Sequence, residues 1–318
     1  MGESKFDVAA LNRELLARCI QHGNFKRAFD RGIELFELQD VGMPGSGFLV
    51  FGPSGVGKTK LTKTLVSYGH KHFGPDSVMR TQLESGATIK GMLSGLLLGF
   101  GDPRSSSGTA QDLARRLLRT ITARKCRLII IDETQHLIPG GKASPALVDN
   151  ILNSFKILDE SGVSFVLAGM DSITNLWGAD SQIRSRFQTV YHLEPLIYPR
   201  DRPTWLAIVK KYKETMEKFE VVVDCPNFED RLYGATRGAM RPLLLILTSA
   251  IVEAHRQGKQ VITSEHLRVA SEKQVDDRDG CPNAFDLDLQ EIVRYNNGAH
   301  TNRSLAPVQR SLQEALCR

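Results

Sequence analysis

The stretch that decides the fold is Gly52–Thr59, which reads GPSGVGKT. A short apolar run, Phe48–Phe51, precedes it, and a helical pattern follows from Lys60. A G-x-x-x-x-G-K-T pattern between a strand and a helix is typical of a loop whose backbone N–H groups surround phosphate oxygens. We therefore expect a nucleotide site at this loop. The candidate contacts are Gly52, Pro53, Ser54, Gly55, Val56, Gly57, Lys58, Thr59 and Lys60.

Four side chains have distinct predicted roles at this site. Lys58 is expected to reach the β- and γ-phosphates of ATP, and Thr59 to bind Mg²⁺ through its hydroxyl. A second signal, RLIIIDE at 127–133, places two carboxylates at the end of an apolar strand. Asp132 is predicted to orient the hydrated magnesium and Glu133 to activate a water against the γ-phosphate. Adjacent acids favour hydrolysis over transfer to a second substrate.

Apolar runs and helical patterns alternate on both sides of the loop, which predicts an α/β fold with a five-stranded parallel sheet flanked by helices. After the Pro-bearing segment 194–203 the strand signals stop, and the patterns predict a small all-helical module. The sequence predicts an N-terminal helical segment (1–45), a nucleotide-binding core (46–197), the helical module (198–274) and a polar tail (275–318). The tail is a candidate partner-docking segment.

Charge and composition bound the class of protein. The 318 residues carry a formal net charge of +5, but the window 104–127 holds seven Lys or Arg residues against one Asp. A basic stripe on a near-neutral body is a candidate nucleic-acid footprint. The five cysteines lack metal-site spacing, and no apolar run reaches the ~18 residues of a membrane span. The N-terminus lacks the apolar region of a signal peptide, so we expect no membrane association.

Four motifs together resemble an AAA+ ATPase with a helical lid. They are GPSGVGKT, IIIDE, the Ser-Arg-Phe at 185–187 and the GAMRP at 238–242. The resemblance implies a P-loop AAA+ core that binds nucleotide at the interface between two subunits.

The resemblance also implies roles for two arginines. Arg186 is similar in placement to the arginine finger, which enters the neighbouring subunit's site and stabilises charge on the transferring phosphate. Arg184 is the competing candidate. Arg241 resembles sensor 2, which reads nucleotide state within the same subunit, and Arg237 is its rival. Sensor 1, usually a polar residue at the end of the fourth strand, corresponds to Met170, with Asp171 or Ser172 as the alternatives if the strand end is shifted. A methionine at this position implies slow hydrolysis.

The run from about residue 20 to 272 is similar to the TnsC/TniB branch of AAA+ proteins. The cues are DETQHL at 132–137, FVLAGMDS at 165–172 and DSQIRSRF at 180–187. The resemblance implies an ATP-dependent regulator of transposition, a class that includes the regulators of CRISPR-associated transposons. Such subunits assemble with ATP into hexamer-like rings or helical filaments on double-stranded DNA. They link a TniQ-like target-selection protein to the transposase, in the cytoplasm of a bacterial cell.

Four residues are candidate DNA contacts. Lys90 and Thr109, each near the start of a predicted helix, match the positions of DNA contacts in the family. The alternative for Lys90 is a solvated lysine, and the alternative for Thr109 is a simple N-cap. Arg115 and Arg119 lie on the polar side of the predicted helix 110–123. For that side, DNA backbone contact, a subunit interface and a solvated face all remain open. Contacts of these kinds bind phosphates rather than base edges, so binding should be sequence-neutral and salt-sensitive.

Two other functions fit the same motifs. One is a helicase loader or replication-initiator type of AAA+ ATPase, which often acts on single strands. The other is a signalling or secretion-linked switch without a DNA role. Preference for duplex over single-stranded DNA separates the transposition regulator from the first, and ATP-dependent DNA binding at low salt separates it from the second.

Overall fold

The chain forms two compact units in a computed structural model that describes residues 6–274 and 282–298. The α/β unit contains residues 21–193, and the helical unit contains the described residues of 6–20 and 194–298. Helix α1 (Val8–Ala17) belongs to the helical unit and α2 (Gly23–Asp40) to the α/β unit. The predicted N-terminal segment 1–45 is therefore divided between the two units.

The α/β unit is built on one parallel sheet of five strands. They are β1 (Gly47–Phe51), β2 (Val78–Gln82), β3 (Leu128–Asp132), β4 (Ser164–Gly169) and β5 (Thr189–His192). Their order in the sheet is β2-β3-β4-β1-β5. All residues of β1, β3 and β4 are buried, as expected for strands covered by helices on both faces. The sheet and its flanking helices confirm the predicted fold class.

The helices of this unit connect the strands. The apolar sides of the helices between residues 89 and 186 and one face of the sheet form one hydrophobic core. A short 3-10 turn, Thr134–Leu137, follows β3 directly and carries the residues after the predicted acidic pair. The helices are α3 (Lys58–Phe73), α4 (Ile89–Gly99), α5 (Ala110–Arg124), α6 (Pro145–Asp159), α7 (Ile173–Ala179) and α8 (Ser181–Arg186).

The helical unit has its own core around two fully buried rings, Trp205 and Tyr233. The Trp205 Nε1–H donates to the Glu229 carbonyl at 2.8 Å, and the Tyr233 hydroxyl donates to the Leu196 carbonyl at 2.9 Å. Its helices are α9 (Arg202–Glu217), α10 (Phe228–Thr236), α11 (Met240–Arg256), α12 (Ser264–Gln274) and α13 (Leu289–Gly298). Among the described residues, no helix combines the length and apolar character that crossing a membrane requires.

The helical unit also contains strands, although the sequence predicts an all-helical module. β6 (Val222–Asp224) and β7 (Val261–Thr263) form a two-stranded parallel sheet. Each strand has only three residues, too few to show an alternating pattern in the sequence.

Residues 282–298 differ from the predicted polar tail. Phe285 and Ile292 are buried in the core of the helical unit, and the Asn296 Nδ2–H donates to the Asp230 carbonyl at 2.9 Å. These few anchors hold α13 against α10 although the segment is mostly polar. The docking role of 275–318 stays a prediction, and residues 275–281 and 299–318 of that range lie outside the described residues.

Candidate functional site

The phosphate-type loop has the backbone geometry that its sequence predicts. Gly52 has φ +149° and lies so near β5 that a Cβ there would come within 2.0 Å of the Leu193 carbonyl oxygen. Gly57 has φ +107° and is the N-cap of α3, with no side chain to cover the first N–H groups of that helix. The start of α3 is thus a backbone cradle that fits an anionic phosphate group.

Lys58 closes the mouth of this cradle. Its side chain is only 7% exposed, and Nζ donates to the carbonyl oxygens of Gly52 at 2.7 Å and Pro53 at 2.8 Å. These bonds keep the ammonium group over the loop, where it can exchange carbonyl oxygens for phosphate oxygens.

The first acid of the predicted pair is fully buried and already paired. Asp132 Oδ2 accepts from Arg80 Nη2 at 2.6 Å and from the Thr62 hydroxyl at 3.2 Å, while Oδ1 accepts from the Glu133 N–H at 3.0 Å. Arg80 lies on β2, the strand that pairs with β3. The sequence reasoning missed Arg80 and Thr62; the available signal was a lone arginine inside a strand.

Magnesium fits the oxygen donors at this site. Thr59 offers a hydroxyl and Asp132 a carboxylate, the ligand type that Mg²⁺ takes. The Thr62 hydroxyl, on the same helix as Thr59, lies 3.2 Å from Asp132 Oδ2 and so joins the two elements that carry these donors. Because both Asp132 oxygens already accept protein hydrogen bonds, the set fits a metal contacted through water, as the sequence predicts, rather than an all-protein cage.

The second acid is held by a neighbouring amide. Glu133 has φ +58°, and its Oε2 accepts from Gln135 Nε2 at 2.5 Å. The other end of that amide, Gln135 Oε1, accepts from the backbone N–H of Met170 at 3.0 Å. Gln135 belongs to the motif DETQHL, but the sequence alone does not indicate a role for it.

The two candidate finger arginines both make contacts within their own unit. Arg186, the last residue of α8, forms an ion pair with Asp159 and lies 5.7 Å from the centre of the Phe155 ring. Burial raises the pKa of Asp159, and the charge of Arg186 opposes that rise. Arg184 Nη1 donates to the Gly178 carbonyl at 3.0 Å. The role predicted for Arg186 therefore requires its ion pair to open.

The two candidate sensor arginines lie in the helical unit. Arg241 is an exposed residue in the first turn of α11. Arg237 has φ +50°, and its Nη2 donates to the Tyr295 hydroxyl of α13 at 3.3 Å. Arg237 thus has a structural contact, and the sensor role of Arg241 stays a prediction.

Lys90 and Thr109 start two neighbouring helices. Lys90 is exposed in the first turn of α4. Thr109 caps α5: its hydroxyl donates to Asp112 Oδ2 at 2.7 Å, and its N–H donates to the same oxygen at 2.9 Å. These hydrogen bonds lower the pKa of Asp112. The N-cap alternative for Thr109 is thus observed, and a phosphate at this helix start would compete with a carboxylate.

Both helix starts open into one concavity, which we call the polar hollow. It has a volume of about 770 Å³ and lies between the starts of α4 and α5 and the side of α6. The structure therefore brings Lys90 and Thr109 to the same place. The polar residues that line the hollow include Thr88, Lys90, Thr109, Gln111, Asn150 and Asn153.

Helix α5 has a buried apolar side and an exposed side that carries two arginines. Leu113, Leu117 and Ile121 are buried, and Arg115 and Arg119 are exposed on the other side, as the periodicity predicts.

The other basic residues of this window are partly neutralised. Arg116 pairs with Asp102 at 3.4 Å and donates to the Arg104 carbonyl at 2.7 Å, which fixes the loop before α5. Arg124 pairs with Asp76 at 2.9 Å. Among the described residues, Arg115 and Arg119 are therefore the exposed arginines of α5 that form no ion pair.

Comparisons with known proteins agree with the geometry. Residues 44–176 match the family model of an AAA domain. The ORC2 protein of Aeropyrum pernix, in a structure of its ADPNP-ADP complexes, is similar with a TM-score of 0.63 and 14% identity, over 91% of this chain and 84% of that one. The ORC1 protein of the same organism, in complex with DNA, has a TM-score of 0.59 and 19% identity, over 80% and 66% of the two chains.

Domain III of the Thermotoga maritima replication initiation protein DnaA has a TM-score of 0.52 and 18% identity, over 83% of this chain and 97% of that one. No curated protein sequence matches this chain. At such identities the likeness establishes the fold, which is the P-loop AAA+ fold.

Proposed function

We propose that this chain, whose α/β unit has the P-loop AAA+ fold, is an ATP-dependent regulator of transposition of the TnsC/TniB type. It assembles with ATP and Mg²⁺ as a ring or helical filament on double-stranded DNA. It links a TniQ-like target-selection protein to transposase subunits, in the cytoplasm of a bacterial cell. The observation that carries the DNA part is the convergence of Lys90 and Thr109 on one polar hollow of the unit that also holds the nucleotide loop.

The nucleotide chemistry follows from the loop and the end of β3. The N–H groups at the start of α3 and the Lys58 ammonium bind the β- and γ-phosphates. Thr59, through its hydroxyl, and Asp132, through water, would hold Mg²⁺, which would neutralise charge on the phosphate oxygens. The Glu133 carboxylate accepts a proton from the attacking water. Arg186 of one subunit stabilises charge in the site of the next, and Arg241 senses nucleotide in its own subunit.

DNA contact in this proposal is electrostatic. Lys90 contributes an ammonium group in the first turn of α4, and Arg115 and Arg119 extend the positive surface along α5. Thr109 contributes less than its position suggests, because Asp112 already occupies its hydroxyl and its N–H. An assembly repeats this modest charge along the duplex, so a net charge of +5 per chain is sufficient.

The test is assembly of the Lys58→Ala variant on duplex DNA. Without the ammonium group over the loop, ATP binding and therefore ATP-dependent assembly should be lost, as seen by electron microscopy and by sedimentation with DNA. Lys63→Ala, on an exposed position of the same helix, is the matched control and should assemble like the wild type. Wild-type-like filaments formed by Lys58→Ala would contradict the proposal.

A replication initiator or helicase loader is the second candidate, because the ORC and DnaA structures resemble this chain. Strand preference separates the two. A continuous ATP-dependent coat on duplex DNA supports the transposition regulator, whereas preferential binding of single strands together with a replicative helicase supports the loader.

A further inference from the structure

One amide side chain joins the proposed base to the end of the neighbouring strand. Gln135 Nε2 donates to Glu133 Oε2 at 2.5 Å, and Gln135 Oε1 accepts from the Met170 N–H at 3.0 Å. The Met170 side chain is 44% exposed and supplies no strong polar group. The bridge therefore uses the Met170 backbone, not its side chain.

The surroundings fix the amide in this position. Gln135 lies in the 3-10 turn after β3, where the His136 N–H donates to the Glu133 carbonyl at 3.0 Å and the Ile138 N–H donates to the Gln135 carbonyl at 3.0 Å. Thr134 and Leu137 of the same turn are buried. The backbone that carries the amide is thus anchored on both sides.

Gly169 leaves the room that this bridge needs. A Cβ at position 169 would lie 2.6 Å from Gln135 Oε1 and 2.7 Å from Ile173 Cγ2. Any side chain there would displace the amide from the end of β4. Gly169 and Gln135 are 34 residues apart in sequence yet fit together at this one point.

We propose that Gln135 is the positioning residue for Glu133. Position 170 has no polar side chain that could orient the reacting groups, and Gln135, which accepts from the Met170 backbone N–H, orients them instead. The amide donates to one carboxylate oxygen and leaves the other oxygen, Oε1, to accept the proton of the attacking water. A neutral donor suits this task because it holds the carboxylate without adding charge. The inference rests on the proposed ATPase function.

The test compares steady-state ATP hydrolysis and nucleotide affinity of the full chain with duplex DNA and Mg²⁺. Gln135→Ala should lower kcat at least about tenfold while the Kd for a fluorescent ATP analogue stays within twofold, because positioning a general base affects the reaction and not binding. Gly169→Ala should likewise lower kcat and leave the Kd unchanged, since its Cβ displaces the amide of Gln135. Gln290→Ala, at an exposed position of α13, is the matched control and should keep kcat within twofold of the wild type.

Two further measurements separate positioning from a merely structural role. Gln135→Ala should lengthen the lifetime of the ATP-bound assembly on DNA, as Glu133→Gln should. In the double variant Glu133→Gln with Gln135→Ala, kcat should fall no further than in Glu133→Gln alone, because a base that is absent needs no positioning. If Gln135→Ala proves unstable, Gln135→Glu, which conserves size, replaces it with the same expected loss of kcat.

The outcomes distinguish the two proposals. If Glu133→Gln is inactive and Gln135→Ala or Gln135→Glu hydrolyses ATP at least as fast as the wild type, only the inference about Gln135 is overturned. If Glu133→Gln hydrolyses ATP like the wild type, or the wild type does not hydrolyse it, Glu133 is not the base and both proposals are overturned.

Discussion

Arg80 and Asp132 form an ion pair at the point where nucleotide chemistry is proposed. The Asp132 side chain is fully buried and that of Arg80 is 17% exposed, so neither charge is well hydrated. A buried carboxylate without a partner is costly, which gives Arg80 a role in stability whatever its role with nucleotide.

Replacing Arg80 with Met should destabilise the protein by about 3–5 kcal/mol, because it leaves a buried charge unpaired. Urea unfolding followed by fluorescence gives the free energy of unfolding. The double variant Arg80→Met with Asp132→Asn should recover much of the loss, because it removes both charges.

Arg124→Met is the matched control for this prediction. Arg124 pairs with Asp76 on the surface, with side chains 51% and 41% exposed, so we expect a loss of about 0–1 kcal/mol. An equally small loss for Arg80→Met would show that the buried pair is not needed for stability.

The contrast between Lys58 and Arg80 shows what a sequence can reveal about a site. The backbone cradle depends on consecutive residues, so a motif predicts it. Arg80 acts through pairing of β2 with β3, and Gln135 acts through pairing of β3 with β4; such neighbours depend on strand order, which no local pattern states. A lone arginine within a predicted strand was nevertheless a usable signal.

Helix α5 is the element on which the DNA hypothesis is most open. Its buried side is predicted correctly because it is long and strongly periodic, but periodicity does not say what the exposed side contacts. The structure narrows the question to Arg115 and Arg119, since Arg116 holds the preceding loop.

Replacing both Arg115 and Arg119 with Ala should reduce the slope of log binding constant against log salt by about two per subunit, since each lost phosphate contact removes about 0.9. Fluorescence anisotropy with duplex DNA at several salt concentrations measures the slope. Arg124→Ala, which removes a charge already paired with Asp76, should change it less.

The three interpretations of this helix face give different results. DNA contact predicts the change of slope. A subunit interface predicts weaker ATP-dependent assembly even without DNA. A merely solvated face predicts neither change, and this result would contradict a DNA role for both arginines.

Short elements were the least predictable. The three-residue strands β6 and β7 have no readable period, and α13 is mostly polar. Its place in the helical unit depends on a few buried residues, such as Ile292 and Asn296, whose partners lie far away in the sequence.

For the protein as a whole, the proposed site is complete only between two subunits. A mixture of Glu133→Gln and Arg186→Ala subunits should therefore hydrolyse ATP although each variant alone does not. In a random 1:1 mixture, about a quarter of the interfaces combine an intact base with an intact finger, so about a quarter of wild-type activity is expected.

The control mixture replaces the Glu133→Gln partner with the double variant Glu133→Gln, Arg186→Ala, and should be inactive. If the first mixture assembles on DNA but stays inactive, Arg186 is not the finger. The same experiment with Arg184→Ala then tests its rival.

The ion pair between Arg186 and Asp159 has a consequence for how much ATP the cell loses to this protein. In the proposed mechanism Arg186 acts on the site of a neighbouring subunit, and an unassembled subunit, whose own Arg186 is paired with Asp159, receives no finger from another. Under this proposal ATP turnover follows the number of subunit junctions rather than the number of molecules, so a large reserve of unassembled protein would consume little ATP.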